Sequence, residues 1–513
     1  MAYQYPSEEE VLYGIPMPEV EDELILIHPE HVGGSVYRYM AQQQTVRNYY
    51  TYLKALEEAG FTKIGGVDKP EGRSVITATY QKGNRVVGTN YNFFWRRINL
   101  TFQFWPELPY TGTELYQEIP ALPGAGLPED VGANNYMLTA KNTTKADYDS
   151  YLSTLENAGF TLFANNGDEG LGGHVYNASY IKDNISISVT HFVRTETTYV
   201  SAVKDLPFSD HLHYDPDEVA VNPDGAKTTL HMPEHYIAGG STFIIQLKSG
   251  HFIIQDGGLP NETRYLLDYL EELSGGSKPI IDAWFITHPH RDHTGVLLNM
   301  AFEEGHAERV IVEGIYFNEP SGPVVDFDCG ARGDVQALHE VSKILKTSTG
   351  ANPQIYRTRT GERYYFNDVT AEMIFAQEQL PKEAYSGDVN DSSTWALFII
   401  EGQKVLLGGD GDVGGMAKIM EIYPGEYLDS DVFSSLHHCH NTTDKFTDYF
   451  MKKTILVTCK FEPQMHKAQN DHLRDIAEEW FLYGEGTRIL TFPYRVGESK
   501  VREHNTWKYH QGN

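Results

Sequence analysis

Three cysteines in 513 residues are too few for a disulfide framework, and Cys329, Cys439 and Cys459 show no paired spacing. A reducing compartment is the simplest reading. No run of roughly 18 apolar residues occurs, which excludes an ordinary membrane-crossing helix. The N-terminal stretch has neither a basic nor an apolar block, so no secretory leader is expected and a cytoplasmic location follows. Positive charge is scarce. Lys and Arg number 41 against 71 Asp and Glu, a formal net charge of −30. Such a surface repels long nucleic acid and anionic lipid. A small anionic substrate stays compatible, because a bound dication would dominate its local field. A phosphate-cradling P-loop and a G-x-S-x-G nucleophile elbow are both missing.

What is present points to a globular chain of two or three domains. Apolar residues make up 40% and charged residues 22%, and the 33 Tyr and 24 Phe suit packed β structure. The first 207 residues contain an internal repeat. Tyr52-Leu-Lys-Ala-Leu-Glu-Glu-Ala-Gly-Phe61-Thr62 returns as Tyr151-Leu-Ser-Thr-Leu-Glu-Asn-Ala-Gly-Phe160-Thr161, offset by 99 residues. Thr45 and Thr144 stand as helix N-caps at the same offset, and Gly60 and Gly159 suit the left-handed position after each helix. Hairpin turns are expected at Gly83-Asn84 and Asp183-Asn184. Two α+β modules, 36–109 and 130–207, are therefore predicted, joined by Pro- and Gly-rich stretches at 106–128 and 207–226. Nothing in either module looks catalytic: His174 and His191 are isolated, and Trp95 to Arg97 reads as a solvated strand end.

From about residue 228 the pattern changes to apolar strands alternating with helices. Strands are expected at 241–246, 251–255, 280–287, 310–316, 396–400, 404–408, 432–436, 454–458 and 488–491. Helices are expected at 261–273, 295–304, 335–347, 415–423, 444–452 and 469–484. The alternation suits two sheets sandwiched between helices over 228–510.

The chemistry concentrates in Ile280-Ile-Asp-Ala-Trp-Phe-Ile-Thr-His-Pro-His-Arg-Asp-His-Thr-Gly295. A buried strand ends at Thr287. His288 and His290 are two residues apart, so in extended chain their imidazoles point the same way and can share one borderline cation. Asp292 and His293 follow in the turn and point to a second position. Three His and one Asp within six residues are a metal site rather than a His-rich turn. Gly408-Gly-Asp-Gly-Asp-Val-Gly-Gly415 is glycine-rich, which lets backbone pass close to a metal.

His-x-His-x-Asp-His followed by Thr-Gly resembles the signature of the metallo-β-lactamase superfamily. Further motifs stand in that superfamily's order. Gly250-His-Phe-Ile-Ile-Gln-Asp256-Gly257-Gly258 resembles its first, a strand ending in a buried Asp. Val405-Leu-Leu-Gly-Gly-Asp410-Gly411 resembles its fourth, whose Asp bridges two metals. Asp431-Val-Phe-Ser-Ser-Leu-His437-His438-Cys-His440 resembles its fifth, which gives one His. Within the superfamily, Asn390-Asp391-Ser392-Ser393-Thr394 before the Gly-Asp strand resembles the metallo-β-lactamase domain of ComEC/Rec2 DNA-uptake proteins and related soluble hydrolases. There the third-motif ligand His is typically absent. Here only His306 and His339 lie between His293 and Asp410, and neither suits the role.

The resemblance implies an αββα sandwich carrying two divalent ions, Zn²⁺ first and Mn²⁺ or Fe²⁺ as alternatives. It implies His288, His290, Asp292, His293, Asp410 and His437 as ligands, with Asp256 supporting the metal loop. Asp391, Asn390 or water would fill the place of the missing third-motif His. His437 is favoured over His438 because it comes first after the strand. His438 is then left as an acid or anion binder, with Asp292 beside the reacting atoms, and His440 is a weaker candidate. Cys439 reads as a buried small residue before a soft ligand. The implied activity is hydrolysis by a metal-bound hydroxide, of a phosphodiester, phosphate ester or other small ester. The competing reading is a metal-binding interaction protein with a degenerate hydrolase site, motivated by the missing third-motif His.

Overall fold

The computed structural model describes residues 12–17, 26–33, 36–41, 43–67, 75–83, 85–93, 96–104, 118–125, 129–132, 135–235, 240–320, 329–376, 389–439, 443–459 and 467–502. His440 and Trp95 lie outside these residues. No helix among them is long and apolar enough to cross a membrane.

The N-terminal part folds into two six-stranded antiparallel sheets with the same strand order. In each, two strands precede a 13-residue helix and four follow it. The helices are Val46–Glu58 and Lys145–Asn157. Thr45 accepts the Asn48 N–H at 3.2 Å, and Thr144 accepts that of Asp147, whose carboxylate returns a bond to the Thr144 N–H. Gly60 and Gly159 follow the helices at φ 86° and 89°, a conformation in which a side chain is strained. Two-residue turns at Gly83 and Asp183, both left-handed, join the long central hairpins. Each helix lays tyrosines onto its sheet, Tyr49 and Tyr52 in one case and Tyr148 and Tyr151 in the other.

The remainder is a four-layered αββα sandwich. One sheet has nine strands and is built around Thr242–Gln246, Phe252–Asp256, Ile280–Ile286 and Gly314–Phe317. The other has seven, built around Val369–Phe375, Trp395–Ile400, Gln403–Leu407, Ser430–Ser434 and Lys452–Val457. Side chains alternate across each strand. Ile253, Ala283, Phe285 and Tyr316 face Met373, Phe398, Val405 and Leu456 between the sheets. Ile254, Trp284 and Ile286 face outward onto Leu267, Leu270, Val296 and Leu297 of the helices Thr263–Leu273 and Arg291–Phe302.

Several elements differ from the sequence expectation. The helix expected from Gly295 begins at Arg291, so Asp292 and His293 sit in its first turn. The helix expected over 469–484 ends at Ile476, and Glu479–Leu482 pairs in parallel with Lys452–Val457 as an edge strand. Its Trp480 and Phe481 are β-formers. The helix expected over 444–452 stops at Thr447, and Lys452 opens a strand. The hairpin Arg363–Phe366 with Val369–Phe375 went unread, although left-handed Asn367 marks its turn.

The second module shares the sandwich's core. Its Leu171, Val175 and Phe192 join the cluster around Trp284 and Trp395. Asn166 Nδ2 donates to the Gly361 carbonyl at 3.0 Å and Thr190 Oγ1 to that of Thr360 at 3.1 Å. Arg363 returns bonds to the carbonyls of Asn166 and Gly170.

A pH dependence is built into the core at His231, on the strand Thr229–Met232. Its two ring nitrogens are 2.7 Å from Tyr269 Oη and Thr229 Oγ1. Burial, aided by Arg502, pushes its pKa down from 6.5 to about 3. The folded protein keeps this ring neutral while the unfolded chain protonates it. Its contribution is therefore intact above pH 6.5 and is lost as the pH falls from there towards 3. The slope is about 1.4 kcal/mol per pH unit, so about 2 kcal/mol is expected to be gone at pH 5. Urea denaturation of His231→Gln at pH 7.5 and 5 should show a shallower pH dependence than the wild type. Equal slopes would refute the assignment.

Candidate metal centre

The site forms where parallel strands from both sheets end. The strand Phe252–Asp256 delivers Asp256, fully buried and left-handed at φ 59°. Its carboxylate accepts the Thr287 N–H at 2.9 Å, the Thr287 hydroxyl at 2.9 and 3.0 Å, and His293 Nδ1 at 2.8 Å. Burial raises the Asp256 pKa, and His293 is the main opposing influence. Because Asp256 takes the Nδ1 proton, His293 presents Nε2 to the site. The Thr287 hydroxyl spends its own proton on Asp256. Its oxygen then accepts from His288 Nδ1 at 3.1 Å, which leaves the His288 Nε2 lone pair 2.9 Å from His290 Nδ1.

Asp410 enters from the strand Gln403–Leu407 through Gly408 and Gly409. A Cβ on Gly408 would stand 2.6 Å from Leu436 and 2.8 Å from the Trp395 ring. Gly409 has φ 54°, and its Cβ would meet Thr287 Oγ1 at 2.6 Å. Gly409→Ala is therefore expected to cost about 1–3 kcal/mol by overpacking and to loosen the Thr287–Asp256 contact. A lowered urea midpoint would show it, and an unchanged midpoint would mean that Thr287 yields freely.

The second sheet contributes His437 and His438 after Ser430–Ser434. His437, His438 and Cys439 are all left-handed, at φ 45°, 48° and 66°. Such a run costs energy for side chains with a Cβ and is held by its surroundings. His438 Nδ1 donates to the Thr458 carbonyl at 2.9 Å. Its Nε2 lies 3.2 Å from Asp292 Oδ2 and 3.3 Å from Asp410 Oδ2.

Asp292, His293, Asp410 and His438 thus converge, with one ligand atom from each all within 4.8 Å of one another. His293 Nε2 is 3.1 Å from Asp410 Oδ1 and 4.0 Å from Asp292 Oδ2. Ligands on a tetrahedral Zn²⁺ at about 2.0–2.1 Å stand roughly 3.3 Å apart. The spacing and the two-carboxylate, two-imidazole donor set therefore fit a divalent ion. The electrostatics agree. Burial opposes charge on Asp292 and Asp410, yet the neighbouring imidazoles hold both well below the usual carboxylate range. Burial likewise disfavours His438⁺, but Asp410 and Asp292 push its pKa up to about 10. His288, buried beside His293 and His290, is driven well below its ordinary value.

The sequence-derived residues fall into place unequally. Asp292, His293 and Asp410 lie in the four-donor group, with Asp256 directly behind His293. His288 and His290 face each other at its side. His437, favoured as the fifth-motif ligand, keeps Nε2 3.9 Å from Asp410 Oδ2, and its neighbour His438 occupies the group instead. Asp391 is fully buried, and its Oδ1 accepts the N–H groups of Gly414 and Gly415 at 3.0 and 3.4 Å. It holds the start of the helix that follows Asp410. Asn390 Nδ2 is 3.5 Å from His437 Nε2. Cys439 is buried, which pushes its thiol pKa up, and it lies outside the group. Thr287 and Thr458 were not singled out in the sequence. Thr287 had a signal, as the last strand residue before the histidines; Thr458 had none.

Residues 237–410 match the family model of the metallo-beta-lactamase superfamily. No curated protein matches the chain. Among solved structures, a candidate metallo-beta-lactamase from Thermotoga maritima is 16% identical, covering 40% of this chain and 95% of that one at a TM-score of 0.25. The stretch 237–410 of the four-layered part is similar to the metallo-beta-lactamase superfamily.

Proposed function

We propose that this chain is a metal-dependent hydrolase of a small phosphate ester or phosphodiester. The observation that carries the reading is the convergence of half-buried Asp292 with buried His293, Asp410 and His438 into one donor group. A divalent ion held there would lower the pKa of a bound water to about 7 and draw electron density from the ester. The chain's own groups do the rest. Asp256 and the Thr458 carbonyl fix which nitrogens of His293 and His438 face the site. Asp391 anchors the helix beyond Asp410. His437, partly open to solvent and 3.9 Å from Asp410, is placed to give a proton from Nε2 to the leaving oxygen. The net charge of −30 supports a small substrate over an extended polyanion.

A second reading has its own support. Among the described residues there is one such donor group, and His288 and His290 lie outside it. A degenerate site in a metal-binding interaction protein would look like this. The deciding experiment loads the protein with Zn²⁺, Mn²⁺ or Fe²⁺, measures metal per chain, and assays bis-p-nitrophenyl phosphate, a simple lactone and nitrocefin. Stoichiometric metal with phosphodiester turnover supports the hydrolase reading. Turnover of the lactone or nitrocefin alone overturns the phosphate assignment. Less than one ion per chain favours the interaction protein.

A further inference from the structure

Just beyond the strand ends, near the metal-binding loop, lie buried polar groups that have no partner among the described residues. Ile286 pairs with Phe317 across two parallel strands, and Tyr316 pairs with Tyr356 across the next. Carried one or two residues past the strand ends, the same register would bring Thr287, Asn318 and Thr358 side by side. Phe285, Tyr316 and Tyr356 pack between the sheets. Carrying the alternation forward puts Thr287, Asn318 and Thr358 on that inner side. The closeness of Gly409 to Thr287 agrees. From the opposite sheet, the Thr394 N–H donates to the Thr287 carbonyl at 2.8 Å, and Ala396, two residues on, also packs inward.

Asn318 is 1% exposed, Thr358 0% and Thr394 3%. Among the described residues, Asn318 Nδ2 and Oδ1, Thr358 Oγ1 and Thr394 Oγ1 have no hydrogen-bond partner. Buried side-chain polar atoms are nearly always bonded, and each exception carries an energetic penalty. Asn318 follows Phe317, the partner of Ile286, as Thr287 follows Ile286; Thr358 lies one strand further, and Thr394 bonds Thr287 from the facing sheet; such a group is a site kept for something that enters. The row supplies neutral donors: an amide N–H₂ and two hydroxyls. It contributes no charge of its own, so it complements an oxygen-rich group whose charge the metal meets.

We propose that Asn318, with Thr358 and Thr394, forms a neutral hydrogen-bonding shelf that holds the non-bridging oxygens of a phosphate group beside the metal centre. This rests on the hydrolase reading for its catalytic consequence, but not for binding itself. Asn318 is the principal residue, since it offers two donors and an acceptor.

The test uses the full-length, metal-loaded protein with inorganic phosphate as the probe, followed by calorimetry and by thermal shift. Asn318→Leu keeps the volume and removes the polar atoms. Without phosphate its melting temperature should match or exceed the wild type's, because two unpartnered buried atoms are gone. Metal content should be unchanged. Its phosphate affinity should fall by roughly 10- to 100-fold, as expected for a hydrogen bond lost to a charged group. Thr358→Val and Thr394→Val, close isosteres, should each weaken phosphate binding and decide the matter if Asn318→Leu does not fold. Unchanged phosphate affinity in the variants, or no phosphate binding by the wild type, overturns the proposal. Phosphate binding that depends on the row, without phosphodiester turnover, upholds the shelf and removes only the hydrolase reading.

Discussion

Asp410→Asn is expected to cost the protein its stoichiometric divalent ion and to lower phosphodiester turnover by roughly 10³-fold or more, since a bound metal supplies several kcal/mol of charge stabilisation. Asp410 is the one residue whose two oxygens reach both imidazoles of the group, at 3.1 Å to His293 and 3.3 Å to His438. Removing its charge leaves Asp292 as the remaining carboxylate there. The substitution keeps the shape of the side chain, so the Gly408–Gly411 turn should stay intact. Elemental analysis after dialysis, with circular dichroism as the folding control, checks it. A variant that binds one ion per chain as tightly as the wild type would contradict the role assigned to Asp410.

The second large effect separates two adjacent histidines. His438→Ala should lose the metal and, with it, turnover. His437→Ala should keep the metal while kcat falls by roughly 10²–10⁴-fold, the usual contribution of a positioned acid. The distances motivate the contrast: His438 Nε2 reaches two carboxylates within 3.3 Å, and His437 Nε2 reaches one at 3.9 Å. Metal content and kcat are measured on the same preparations. If His437→Ala lost the ion and His438→Ala retained it, the two roles would be exchanged.

These residues also show how far a sequence can be read. His288 and His290 could be proposed because they follow the apolar strand Ile280–Ile286, where period-two alternation sets direction, while Asp256 ends a strand and Asp410 follows one through two glycines. The same logic chose His437 over His438, and there it reached its limit. Alternation presumes extended backbone, whereas His437 to Cys439 run left-handed. The Thr458 carbonyl that orients His438 comes from another strand and leaves no local trace. The first turn of the Arg291 helix was hidden for a related reason. Pro289 and the cluster of polar ligands suggested a loop, yet the Thr294 N–H closes onto the His290 carbonyl at 2.9 Å. The shelf residues were invisible because an isolated Asn or Thr after a strand has no pattern to recommend it. Only tertiary register brings them together.

The docking of the second module bears on where this chain could be divided. Arg359, nearly buried, donates to Ser201 of that module at 3.3 Å, and its guanidinium lies 5.2 Å from the Phe208 ring centroid. Beside it, Glu362 is sealed from water and Thr360 and Gly361 give their carbonyls to the module's sheet. A fragment beginning at the sandwich would strip these groups of their partners and open an apolar seam at Leu171, Val175 and Phe192. For a genetic exchange that shuffles whole units, a cut behind the second module would sever both the buried hydrogen bonds and the apolar seam that tie it to the sandwich.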